Sequence, residues 1–163
     1  MINQDELFER CLNQVLKWEG GYVCDPDDRG GATNKGITQS TYNKSRASKG
    51  LQLQHVKNIA TFEVWDIYYN NYWLKSGCNK MSPKFAAICF DTAVNMGTGI
   101  VKATGMTRCT EFLKAAEYKY PFKFLEARRN KYREFAKYGK QAKFLKGWLN
   151  RVDDLEKFIT TLN

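Results

Sequence analysis

Apolar side chains recur at helical spacing over residues 3–18. Four of them are separated by four, four and three positions, namely Leu7, Cys11, Val15 and Trp18. This periodicity predicts an amphipathic helix that is buried on one side. Because consecutive glycines are typical of a helix end, we expect the helix to end before Gly20 and Gly21. The carboxyl of Glu19 is then held at the end of a rigid element, next to a loop.

The rest of the hydrophobic pattern predicts further helices and one segment of turns. Residues 20–38 contain five glycines, three aspartates and Pro26, which indicates turns and a short hairpin. The segments predicted as helical are, in order, a short helix at the start of 39–59, then 61–74, Pro83 to Gly97 or Gly99, 111–118, 121–137, 141–150 and 152–162. A basic polar loop is expected at 44–49. These elements predict a mainly α fold with a short glycine-rich loop or hairpin.

The composition adds a hydrophobic core and a strong positive charge. The chain has 163 residues, of which 43% are hydrophobic, enough for one domain or two tightly packed halves. Its formal net charge is +9, and most of the basic excess lies between Lys102 and Arg151. Such a charge implies a polyanionic partner, and nucleic acid, an anionic membrane and the bacterial cell wall all qualify. Charge alone does not choose among them.

The sequence gives little indication of a metal site, a signal peptide or a membrane-spanning segment. The five cysteines are irregularly spaced and His55 is the single histidine, whereas a zinc site needs about four ligands. We therefore expect no metal and no cofactor. The N-terminal segment is acidic and amphipathic, unlike a signal peptide, and no apolar run approaches the ~18 residues of a membrane span. We expect a protein made in the bacterial cytoplasm, without stable membrane insertion, which another component must release if it acts on the wall.

Two carboxylates beside the first predicted loop suggest glycosidic bond cleavage, which needs a proton donor and a second carboxylate or a positioned water. Glu19 follows an apolar helix, and burial is expected to raise its pKa towards that of a proton donor. Asp28 lies in a polar turn that is expected to keep it ionised. Thr33 is a candidate for positioning a water, and Asn34 either contacts substrate or braces the turn. An ordinary turn after an ordinary helix end would show the same pattern, so both interpretations stay open.

Several ordered motifs resemble glycoside hydrolase family 108. Residues 19–38 read E-G-G-Y-x-x-D-P-x-D-x-G-G-x-T-N-x-G-I-T, which resembles the family signature. The resemblance continues through W-D-I-Y-Y-x-x-Y-W (65–73), F-D-T-A-V-N-M-G (90–97), A-R-R-x-x-Y (127–132) and F-L-K-G-W-L-N-R-V (144–152). It covers nearly the whole chain. Members are N-acetylmuramidases of the phage-endolysin type and bacterial proteins, some of which assist toxin or protein release through the wall.

The resemblance implies a lysozyme-like helical fold in which the glycine-rich segment forms one lip of the cleft. It implies a catalytic region at 1–97 and a helical, predicted peptidoglycan-binding region at 98–163, packed together as one compact unit. The implied reaction is hydrolysis of the β-1,4 bond between N-acetylmuramic acid and N-acetylglucosamine in cell-wall peptidoglycan. Glu19 matches the family's catalytic glutamate and Asp28 its aspartate. Thr33 lies one residue closer to Asp28 than in the phage-lysozyme families, which leaves its role open.

Three other polar residues of these motifs allow two interpretations each. Asp91 and Asn95 share one face of the predicted central helix. If that face borders the cleft, they bind sugar or brace Glu19; if it does not, they are satisfied buried polar groups. Tyr22 either lines the cleft or closes the loop. We list all three with Asn34 as candidate substrate-binding residues.

Basic and aromatic residues near the C-terminus are expected to pack or to stay solvated. Trp148, Asn150 and Arg151 fall at the predicted junction of the last two helices, where we expect them to lock those helices onto the body. Arg128 and Arg129 are expected either as surface charge or in contact with wall carboxylates. A monomer that does not bind nucleic acid is the preferred reading. A non-catalytic wall-binding module and a basic nucleic-acid-binding protein are the alternatives.

Overall fold

A computed structural model gives the structure of the chain and describes residues 3–24, 31–97 and 120–162. Asp28 and the predicted helix at 111–118 lie outside the described residues. The helices are α1 (Gln4–Leu16), α2 (Gln39–Ser48), α3 (Thr61–Tyr68), α4 (Pro83–Met96), α5 (Pro121–Phe135) and α6 (Leu145–Thr160). Tyr69–Leu74 continues α3 as a π-helix, and 3-10 turns occupy Val56–Asn58, Cys78–Lys80 and Gly139–Phe144. The prediction of a mainly α, lysozyme-like fold is confirmed.

Helix α1 follows its predicted pattern but ends earlier than expected. The side chain of Asn3 caps it by accepting a hydrogen bond from the amide of Glu6, at 2.9 Å. Its buried face includes Leu7, Phe8, Cys11 and Val15. The last turn is closed by a bond from the Trp18 amide to the Val15 carbonyl, at 2.9 Å. Glu19 therefore lies three residues past the last residue of α1, on the turn that follows it.

The predicted hairpin is present. Strands β1 (Thr33–Asn34) and β2 (Ile37–Thr38) pair antiparallel around the two-residue turn formed by Lys35 and Gly36. Both turn residues have positive φ, 49° and 73°, which is the geometry of a type I′ turn. Val23 exchanges two backbone hydrogen bonds with Thr33, at 2.9 and 2.8 Å. The chain therefore enters and leaves the segment 24–32 at the same hairpin.

Helix α4 lies at the centre of the fold and packs against α1, α5 and α6. Its N-terminus begins with Pro83 at the first helical position, as predicted. The aromatic stripe of α3 and its π-helical continuation packs into the core around Phe8, whose ring lies 5.0 Å from Trp65 and 5.3 Å from Trp73. Edge-to-face packing of this kind stabilises the core beyond simple burial. Within the described residues, no helix combines the length and apolar character needed to cross a bilayer.

Two boundary predictions are wrong. The expected basic loop at 44–49 is largely helical, because Arg46 on α2 points inward and pairs with the carboxylate of Glu63 on α3. The expected break between 141–150 and 152–162 does not exist. Helix α6 runs through it, since Trp148, Val152, Leu155 and Ile159 continue one apolar stripe across the proposed boundary.

Glu63 is held ionised at the α2–α3 interface. Burial opposes ionisation, but hydrogen bonds from the Tyr42 hydroxyl, the Ala60 amide and the Arg46 guanidinium outweigh it and lower the pKa of Glu63. The Tyr42 hydroxyl donates at 2.6 Å. This network ties α2, the helix that follows the hairpin, to α3.

Candidate functional site

Glu19 is held in place because both its own side chain and that of the preceding residue, Trp18, contact α6. The indole N–H of Trp18 donates to Asp154 at 2.9 Å, and the Gln14 amide donates to the same carboxylate oxygen at 2.6 Å. One turn earlier on α6, Nη1 of Arg151 donates to Oε1 of Glu19 at 2.9 Å. Residues three apart on a helix share a face, so a single face of α6 anchors the end of the α1 segment.

The Glu19 carboxyl is half-enclosed, with 19% of its side chain exposed. Gly36, at the hairpin turn, packs directly against it. A Cβ added at Gly36 would lie 2.8 Å from Oε2 of Glu19 and 2.6 Å from the hydroxyl of Tyr68. Both separations are shorter than side chains tolerate. The turn therefore requires glycine for two reasons, its positive φ and this close approach.

Two tyrosines lie on the same side of the carboxyl. The Tyr68 hydroxyl donates to the backbone carbonyl of Lys35 at 2.8 Å, which locks the hairpin turn onto α3. Burial, and then the negative charge of Glu19, raise the pKa of Tyr68 and the pKa of Tyr72. Both phenols therefore remain neutral.

A buried chain of charges extends from Glu19 into the core. Nε of Arg151 donates to Oδ1 of Asp91 at 2.9 Å, and Nη1 of Arg128 lies 2.7 Å from the other oxygen of Asp91. The three side chains are at most 6% exposed. We call Arg151, Asp91 and Arg128 the buried relay. Together with Glu19, the relay joins two guanidinium groups and two carboxyl groups in one line of contacts.

The relay continues from Arg128 to the end of α4. Nε of Arg128 donates to the Tyr132 hydroxyl at 3.0 Å, and Nη1 donates to the hydroxyl of Thr92 at 3.1 Å. The Tyr132 hydroxyl donates in turn to Oδ1 of Asn95. Asp91 and Asn95, one helical turn apart on α4, are thus joined to Glu19 by one continuous network.

The structure places three further predicted residues, Tyr22, Thr33 and Asn34, in or beside the hairpin. Asn34 is buried, and its amide donates to the carbonyls of Val56 and Lys57 at 3.2 Å each, which braces the turn. Thr33 is half-buried within the strand pairing. Tyr22 is 39% exposed, and its ring meets that of His55 edge-on at 5.7 Å. Their roles towards substrate stay predictions, as does that of Asp28.

Sequence reasoning missed the two arginines of the relay. Arg128 is wholly buried and is not surface charge. Arg151 lies within one helix and contacts Glu19, whereas we expected it to lock a helix junction. A signal was present, because Phe124, Arg128 and Tyr132 recur every four residues along the buried stripe of α5. A basic residue inside an apolar stripe indicates a buried ion pair.

The described residues offer no group of three or more histidine, cysteine, aspartate or glutamate side chains suited to a metal ion. The groups gathered around Glu19 are its own carboxyl with one tethered oxygen, the Arg151 guanidinium and neutral phenols.

Comparison with known proteins identifies what the chain is similar to. A sequence profile of the family described as Glycosyl hydrolase 108 matches residues 12–97, which is more than half of the chain. A solved structure of SagA from Brucella abortus is similar, with a TM-score of 0.67 and 25% sequence identity. The match covers 95% of this chain and 94% of that chain. No curated protein matches.

Proposed function

The chain belongs to the glycosyl hydrolase 108 family, and we propose that it hydrolyses the β-1,4 bond between N-acetylmuramic acid and N-acetylglucosamine. Family membership supports the coarser statement, a peptidoglycan hydrolase of the glycoside hydrolase type. The observation that carries the finer proposal is the setting of Glu19, a half-enclosed carboxyl anchored to α6 and covered by the hairpin turn.

Glu19 is the general acid of the proposed reaction. Cleavage of a glycosidic bond requires a proton on the leaving oxygen while positive charge develops on the sugar ring. Arg151 holds Oε1, so Oε2, on the side of Gly36 and Tyr68, is the oxygen that delivers the proton. Fixing one oxygen orients the other, and orientation of a catalytic group is a large part of enzymatic rate enhancement.

Asp28 is proposed as the base or as the stabiliser of the developing charge, and Thr33 as a residue that positions water. The support is the sequence, together with the pairing of Val23 with Thr33. Because of this pairing, the chain on either side of the segment that carries Asp28 is joined to the hairpin. The turn of the same hairpin covers Glu19. The relay residue Asp91 is proposed to act through Arg151, because at 1% exposure it is too buried to touch a glycan.

The substrate is proposed to be the peptidoglycan of the bacterial wall, reached after release from the cytoplasm as in endolysins. We propose that the chain acts as a monomer and has no nucleic-acid partner. The regions 1–97 and 98–163 are proposed as its catalytic and peptidoglycan-binding parts. Two contacts support the proposal that these parts form one compact unit: α6 packs onto α4, and Arg151 of α6 contacts Glu19.

The proposal is tested by digesting purified peptidoglycan with the wild type and with Glu19→Gln, then reducing the products and identifying them by mass spectrometry. The wild type is expected to release fragments that end in reduced N-acetylmuramic acid, and Glu19→Gln to release none. Glu9→Gln, an exposed glutamate on α1, is the matched control and should retain activity. Fragments ending in reduced N-acetylglucosamine would overturn the bond assignment, and full activity of Glu19→Gln would overturn the role of Glu19.

Asp28→Asn is compared with Asp27→Asn in the same digestion. If Asp28 is the second carboxylate, its substitution lowers the rate by about two orders of magnitude, the usual size of an acid–base contribution. Asp27→Asn is expected to change the rate little. Equal effects of the two substitutions would argue against a specific role for Asp28.

A further inference from the structure

A cavity of about 350 Å³ opens between the end of α4 and the C-terminal helices. Its lining includes the aromatic residues Tyr132, Phe135, Tyr138 and Trp148 and the amides Asn95 and Gln141. We propose that this aromatic–amide pocket binds an N-acetylglucosamine unit of the glycan strand. The proposal rests on the proposed function, since it names a further subsite for the same substrate.

Two of the lining aromatic side chains stack on each other, and a third is accessible. The rings of Tyr132 and Trp148 stack at 5.1 Å with an interplanar angle of 24°, and Tyr132 is only 2% exposed. Tyr138 is 71% exposed at the opening. Aromatic faces suit the apolar C–H face of a pyranose ring, because they remove it from water without demanding polar partners. The volume falls within the roughly 300–1,000 Å³ range of small-molecule sites.

The two amides match the acetamido group. The carbonyl oxygen of Asn95 is occupied by the Tyr132 hydroxyl, which fixes the orientation of the side chain and leaves its NH₂ to donate. Gln141 is exposed and offers both a donor and an acceptor. An acetamido group presents one carbonyl acceptor, one N–H donor and a methyl group, which is the complement of two amides among aromatic rings.

The pocket has no formal charge among its described lining residues, although the chain carries +9 overall. A site for phosphate or for the carboxylates of stem peptides would present lysine or arginine. The lining residues that the structure describes, all of them uncharged, suit a neutral sugar better than an anion. In peptidoglycan, N-acetylglucosamine is the unit without a lactyl ether or a peptide, and it is therefore the unit that fits.

Asn95 links the pocket to the buried relay. Asn95 lies in the lining and is also the end of the hydrogen-bonded network that begins at Glu19 and passes through the buried relay. A sugar held by Asn95 therefore contacts the same network that orients the general acid.

Chitotriose is the probe, titrated by NMR into the full chain carrying Glu19→Gln, so that turnover does not interfere. Tyr138→Ala and Gln141→Ala remove exposed lining side chains and should leave the fold intact. Each is expected to weaken chitotriose binding about fivefold or more, the usual scale of one aromatic or hydrogen-bonding contact. Tyr120→Ala, another exposed tyrosine that is not in the lining, is the control and should bind as the parent does.

Cellotriose and an acidic stem peptide serve as comparison ligands. Tighter binding of chitotriose than of cellotriose, lost in the pocket variants, supports recognition of the acetamido group. Equal binding of the two sugars, preferential binding of the peptide at the pocket, or chitotriose affinity unchanged by both lining substitutions would overturn the proposal.

Kinetics on peptidoglycan separate this proposal from the proposed function. With Glu19 intact, Tyr138→Ala and Gln141→Ala are expected to raise KM with little change in kcat, as loss of uniform binding does. A wild type that releases no reducing ends would overturn the proposed function, and the chitotriose titration would still decide the pocket.

Discussion

Replacement of Asp91 by asparagine tests the buried relay most sharply. The carboxylate is 2% exposed and lies between two guanidinium groups, 2.9 Å from Nε of Arg151 and 2.7 Å from Nη1 of Arg128. Asparagine has nearly the same shape but no charge. The two buried guanidinium groups then lose the carboxylate that lies between them.

The expected cost follows from the charge that is left uncompensated. Removing one partner of a buried ion pair destabilises a protein by about 3–5 kcal/mol. For a chain of this length, that corresponds to a fall in Tm of roughly 6–20 °C. The matched control is Asp66→Asn, because Asp66 pairs with Lys49 at the surface, where both side chains are at least 33% exposed. An exposed pair contributes only about 0–1 kcal/mol.

The assay is urea unfolding followed by circular dichroism, with the midpoint compared at constant m. Arg128→Met is measured alone and together with Asp91→Asn. In the double variant the Arg128 guanidinium is removed together with its carboxylate partner, so the destabilisation should be smaller than the sum of the single effects by at least about 1 kcal/mol. A loss as small as that of Asp66→Asn, or strict additivity in the cycle, would refute the buried-charge reasoning.

Two further predictions concern the turn and the α2–α3 interface. Gly36→Ala should destabilise the protein more than Gly50→Ala and should lower kcat at least about tenfold. Both glycines have positive φ, but only at Gly36 would a Cβ meet Tyr68 and Glu19. Equal losses of stability in the two variants, with kcat unchanged, would contradict the close approach. Because the pKa of Glu63 is lowered, its stabilisation is fully present above about pH 4.3, the value of an unfolded glutamate, and is lost as pH falls through the folded pKa. Urea titrations should therefore show a weaker loss of stability in acid for Glu63→Gln than for the wild type, and parallel pH profiles would count against this.

The sequence predicts those parts of the fold that depend on residues close to one another in the chain. The apolar spacing of α1, the proline that begins α4 and the glycine-rich turn were all readable, because each rests on residues close in sequence. The wrong predictions at 44–49 and at 141–162 have different causes. The basic residues at 44–49 indicate a loop, but a distant partner, Glu63, draws Arg46 inward. At 141–162 one apolar stripe continues through the polar residues at which a break was expected.

The sequence predicts the central residue of the candidate site, Glu19, but not the side chains that contact it. Glu19 was identified from its position between a helix and a glycine-rich segment and from its motif. Its contact with Arg151 joins residues 132 positions apart, and the spacing of motifs in a sequence does not reveal such a pairing. For the same reason Asp91 was recognised as a polar group on the central helix, while its position between two buried arginines was not.

The central claim is that Glu19 donates the proton to the leaving oxygen. It is tested most directly by comparing the wild type with Glu19→Gln on peptidoglycan and on a dinitrophenyl β-glycoside of the peptidoglycan disaccharide, whose leaving group needs no proton. Glu19→Gln is expected to lose at least about a hundredfold in rate on peptidoglycan and to keep most of its rate on the activated glycoside. Equal losses on both substrates, or no loss on peptidoglycan, would contradict it.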